Sequence, residues 1–88
     1  MEKGSITILV KELFGTDPIA RSSARELFPK LEGKSSVILD FANIEEVGQA
    51  FVHELFIVWK RNHPDVELEI INTCDDVNFM VKRVINTK

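Results

Sequence analysis

"LDFANIEEVGQAFVHELF", residues 39–56, is the stretch on which the fold turns. Its start completes "SSVILDF", residues 35–41, a run almost continuous in apolar residues and rich in β-branched ones. A run this short and apolar reads as a central buried strand. "ANIEEV" is a short acidic loop. From Gln49 to about residue 62 a helix is expected. At roughly 100° per residue, Phe51, Val52, Leu55, Phe56, Val58 and Trp59 then share one broad arc, and that arc is core. The breaker His63-Pro64-Asp65 ends it. In α/β proteins, ligands and chemistry collect where a parallel strand gives way to a helix. This junction offers Gly48-Gln49-Ala50-Phe51, which includes no nucleophile.

Working outward, "SITILVKELF", residues 5–14, alternates at its start, with Ile6, Ile8 and Val10 on one side, and reads as a strand closed by Gly15. In the next segment Asp17 is a good N-cap and Pro18 suits the first helical position. Ile19, Ala20, Ala24, Leu27, Phe28 and Leu31 then recur at helical spacing. Pro29 is expected to end or kink that helix and Gly33 to stop it. "VELEIIN", residues 66–72, alternates with Val66, Leu68 and Ile70 inward and Glu67 and Glu69 outward, a strand with one wet face. The last segment opens on Thr73 with Asp76 three residues on, close to a capping box. Asp75 and Asp76 suit a helix N-terminus, and Lys82 and Arg83 a C-terminus. Val77, Met80, Val81, Val84 and Ile85 form its apolar stripe. The order is β-α-β-α-β-α in a single domain, residues 1–88. It implies a small, mainly parallel sheet with right-handed crossovers and helices mostly on one face.

Composition narrows the partners. The chain has 88 residues, is 44% hydrophobic and carries a net charge of −3, so one core is affordable and no phosphate array would be neutralised. A nucleic-acid or anionic-membrane partner is therefore not expected. No apolar run is long enough to span a bilayer, and the N-terminus lacks the pattern of a signal peptide. With a single cysteine, Cys74, a cytoplasmic protein is the simplest expectation.

The candidate chemistry is thin. "HELFI", from His53, begins like a zinc-protease motif but places Ile57 where the second histidine must stand. Cys74 near a helix start has some nucleophile character, yet Asp75 and Asp76 beside it oppose a lowered pKa. Glu45 and Glu46 read as solvated loop carboxylates. There is no glycine-rich phosphate loop. No acid, base and nucleophile converge, so neither an enzyme nor a cofactor or metal is expected. On the helix from Gln49, the side away from the core carries Ala50, His53, Glu54, Ile57 and Arg61, with Ile57 the one large apolar residue among polar ones.

The pattern L-D-F-x-x-[IV]-x-x-[IV]-G-[QS]-[AS]-F-x-x-E-[LA]-F, met from Leu39 to Phe56, resembles the STAS-like domains of unknown function found widely in bacteria. "ARSSARELFPKLEG", with Arg21 and Ala24, looks like that family's first helix, and "HPDVELEIIN" like its last strand, ending at Asn72. More distantly the domain resembles the STAS domains of anti-sigma-factor antagonists. There the helix opens on D-S-S-G, and one serine is phosphorylated by a partner kinase with a histidine-kinase-type ATPase fold. Laid on that pattern, Gly48 falls at the aspartate, Gln49 and Ala50 at the two serines and Phe51 at the glycine. Ala50 has no hydroxyl to phosphorylate.

The resemblance implies a non-enzymatic regulatory module that binds a protein, with a histidine-kinase-type ATPase as the implied partner. The surface expected to carry it is Asn43, Gly48, Gln49, Ala50, His53, Glu54, Ile57 and Arg61. The alternative is a small-ligand or nucleotide-binding module using the strand C-terminal edge near Gly48. A deep mixed pocket beside Gly48 would favour the ligand, and a shallow exposed face the protein.

Overall fold

The structure is a computed structural model that describes residues 4–15 and 19–86. Three strands, β1 (Ser5–Leu9), β2 (Ser36–Asp40) and β3 (Glu67–Ile71), form one parallel sheet in the order β1-β2-β3. The near-continuous apolar run is indeed the central strand. Register pairs Ile8 with Leu39 and Leu39 with Ile70, so Ile6, Ile8, Val37, Leu39, Leu68 and Ile70 line one face. The core lies between that face and the helices α2 (Arg21–Leu31), α3 (Gln49–His53) and α5 (Asp75–Asn86). The other face carries Thr7, Ile38 and Glu69 in one cross-strand row and Leu9, Asp40 and Ile71 in the next. This is the α/β arrangement that the alternation of strands and helices implied.

Several details depart from the sequence reading. β1 stops at Leu9, and residues from Val10 form a short helix, α1 (Val10–Phe14). Lys, Glu and Leu are good helix formers, and the turn still buries Val10 completely while setting Phe14 edge-on to Phe51 at 5.7 Å. Gly15, at φ 80°, closes the turn with its N–H on the Lys11 carbonyl. The expected caps Asp17 and Pro18 lie outside the described residues. Ile19 is exposed and precedes α2, so it is not part of the buried stripe. Pro29 neither ends α2 nor stops it early; the helix runs on to Leu31, because a proline in the last turn forfeits one hydrogen bond while Leu27 and Leu31 stay buried.

At the C-terminal helix the Thr73 hydroxyl bonds the Asn78 side chain at 2.8 Å, and Asn78 N–H reaches the Cys74 carbonyl at 2.9 Å. The capping box at Thr73 is therefore not formed. Ile85 is exposed, where the stripe placed it inward.

The helix after β2 holds the largest surprise. It runs on from α3 through a π-helical segment, Glu54–Trp59, and ends in α4 (Lys60–Asn62). Hydrogen bonds that reach one residue further widen each turn. The three- and four-residue spacing that assigned faces from Ala50 onward therefore fails across this segment.

A candidate partner-binding face at the start of the second long helix

β2 delivers the chain to the junction through a loop held from inside. Asp40 Oδ1 accepts the Ala42 N–H at 2.9 Å, a turn that aspartate forms locally, and the Asn72 amide at 3.0 Å. Asn43 follows at φ 64°, a left-handed conformation that asparagine tolerates better than most residues. Ile44 and Val47 are buried and pin the loop to the core. Gly48 then meets the segment before α2. A Cβ at this position would lie 2.6 Å from the Ile19 carbonyl oxygen and 2.8 Å from its Cα. Its φ of −84° is ordinary, so glycine serves here for close approach and not for an unusual backbone. The contact sets the entry to α2 against the start of α3.

The first turn of α3 buries Phe51 and Val52 and leaves Gln49 and His53 exposed, with Ala50 half-buried between them. Arg21, Gln49, Ala50 and His53 line a shallow open depression of about 390 Å³. Next to it on the helix stands Glu54. The sequence placed Glu54 on the exposed face, but it is buried, with only 6% of its side chain accessible. Its two carboxylate oxygens are taken by two arginines of α2. Arg21 Nε lies 3.2 Å from Oε1, and Arg25 Nε donates to Oε2 at 3.0 Å. A carboxylate this buried persists only if paired. Ile57, expected as an exposed contact, is half-buried within the π-helical segment and packs on the core. Arg61 is exposed in α4, roughly 18 Å along the axis from Gln49 at an ordinary helical rise.

The eight residues singled out from sequence thus divide. Gln49, Ala50 and His53 converge, and Gly48 shapes the corner behind them. Glu54 sits beneath the surface, Ile57 is half-buried against the core and Arg61 stands at the far end. Asn43 belongs to a different place, a cleft of about 630 Å³ at the C-terminal edge of the sheet, lined also by Lys11, Phe41, Ile44, Glu45, Asn72, Thr73 and Cys74. There the Cys74 thiol is exposed and bonds the Ile44 carbonyl at 3.4 Å. Among the described residues no group of three His, Cys, Asp or Glu side chains is arranged to hold a metal ion. The sequence reading missed the role of Arg21 and Arg25. The signal available was their four-residue spacing, which puts both on one side of a helix; nothing local linked them to an acid 29 residues beyond Arg25.

The family of STAS-like domains of unknown function matches residues 23–78. The chain belongs to this family. The match takes in β2, the junction, α3, α4 and β3, and so includes Arg25 and Glu54. No curated protein and no solved structure matches the chain. As a STAS-like domain it shares a fold whose function is not established, so the function has to be argued from its own surface. No helix among the described residues is long and apolar enough to cross a membrane.

Proposed function

We propose that this STAS-like domain is a non-enzymatic regulatory module that binds a protein through the start of α3, without the phosphorylation switch of the anti-sigma-factor antagonists it resembles. The observation that carries the reading is the open depression lined by Arg21, Gln49, Ala50 and His53. On the sequence resemblance it corresponds to the region where the antagonists carry their phosphoacceptor, and it is open, a shape suited to another protein's surface and poor for enclosing a small molecule. Ala50, one of its lining residues, cannot take a phosphoryl group. The partner class that fits the resemblance is an ATPase of the histidine-kinase type. The Cys74 thiol, in the separate cleft, donates to the backbone carbonyls of Ile44 and Glu45.

A photo-crosslinker at Gln49 tests this in the native host. We expect one specific protein adduct from that position and none from a control crosslinker at Glu69, exposed on the opposite sheet face. The protein purified from that host should carry no phosphate within residues 48–53. An absent adduct at Gln49, or intact mass spectrometry placing a stoichiometric phosphate in that segment, would remove the reading.

A second reading rests on the cleft at the strand edge. It is the larger concavity, and its lining mixes apolar Phe41 and Ile44 with polar Lys11, Asn43, Asn72 and Thr73, which suits a small polar ligand. It lies toward Asn72 and Cys74, away from the Gly48 corner where the ligand site was expected.

A further inference from the structure

We propose that Arg21 and Arg25 form a carboxylate-reading fork, held in position by the buried Glu54, and that the protein partner of this face presents an acidic side chain to it. The proposal rests on the interaction-module reading and names the chemistry of the partner. A guanidinium has five N–H donors. Each of these two sets its Nε against Glu54, yet their side chains remain 54% and 61% exposed. Among the described residues, these contacts set two positive charges against one negative charge. In a chain of net charge −3 this is a local exception.

Pre-organisation is the second part of the argument. A free surface arginine loses considerable rotamer freedom when it binds. Arg21 and Arg25 are already pinned by a carboxylate that is itself fixed in the core. Arginine rather than lysine stands at both positions, and its planar fork matches a carboxylate in two parallel hydrogen bonds. The depression beside Arg21 is lined by Gln49, Ala50 and His53, none of which repels an incoming anion. Glu26 lies on the same helix but is one residue from Arg25, so its side chain departs at about 100° from it. The fork thus adds a charged anchor next to the neutral surface of Gln49 and Ala50. A partner that reads both presents an aspartate or glutamate beside a small uncharged patch.

The test is a titration of the isotope-labelled protein with a hexaglutamate peptide at low salt, followed by the arginine Nε–H and backbone amide NMR signals. Saturable shifts are expected at Arg21, Arg25, Gln49, Ala50 and His53. Arg25→Lys keeps the charge and loses the fork, and should weaken binding about tenfold. Glu54→Gln removes a negative charge, so a simple electrostatic field would bind the peptide more tightly; loss of the anchor should weaken it instead. If Glu54→Gln does not fold, Arg21→Lys and Arg25→Lys, both at exposed positions, decide alone.

Absent shifts, or shifts centred on Lys30 and Lys34, overturn the proposal. So does unchanged affinity in both lysine variants. If inorganic phosphate gives the same shifts at lower concentration than the peptide, the fork reads phosphate and the acidic-partner proposal falls. The peptide titration does not involve the native partner. Its failure therefore leaves a Gln49 adduct standing, whereas a missing adduct with an intact fork sinks the interaction reading alone.

Discussion

The cleft at the sheet edge and the arginine face at the start of α3 differ in how they use their polar groups. In the cleft three of them are spent on the chain itself. The Asn72 amide goes to Asp40, the Thr73 hydroxyl to Asn78 and the Cys74 thiol to the Ile44 carbonyl. These bonds close the loops that follow β2 and β3, where Asn43 and Asn72 both take left-handed backbone. On the arginine face the buried acid is satisfied by two side chains that are themselves more than half exposed. The difference teaches that a large concavity is a weaker pointer to binding than donor capacity left over at a rigid surface. Loop closure accounts for Asn72, Thr73 and Cys74, whereas the arginines remain exposed although they are held by a buried acid.

Substitutions can break or sharpen this contrast. The largest effect is expected from Trp59→Ala. Trp59 is buried at the end of the π-helical segment and stacks on His63 with centroids 4.5 Å apart. Its loss should cost about 3–5 kcal/mol, read by chemical denaturation, and should take both regions down in one transition. Two separate transitions would mean that the cleft and the arginine face belong to independent units.

Gly48→Ala is expected to come next, at about 1–3 kcal/mol of overpacking. The obstacle is the backbone of Ile19, which has no rotamer to yield. The perturbation should spread to the amides of residues 19–25 and 49–53 and spare Asn72 and Cys74. Movement centred on the cleft would show that the two regions share the Gly48 corner.

Cys74→Ser should have the smallest effect, under about 1 kcal/mol, because the thiol is exposed. Adduct formation at Gln49 should be unchanged. If that adduct is lost while the melting curve holds, the cleft, and not the arginine face, carries the function.

The sequence by itself determined the sheet, its parallel sense and the central place of β2. Those follow from short-range signals: a continuous apolar run at residues 35–41, alternation at 66–71 and helical spacing between them. It also led to the family, which is a matter of residue identity. It placed Glu54 and Ile57 wrongly because a helix is read from sequence at a constant turn. Only packing decides that residues 54–59 widen into π geometry and that α2 lies over Glu54 with Arg21 and Arg25. The conversion of residues 10–14 from strand to helix was likewise tertiary, because Val10 is fully buried in a turn that sets Phe14 against Phe51. The arginine fork was out of reach for the same reason. Its parts lie on two helices separated by a strand, and the link between them is a buried charge that only the folded core can hold.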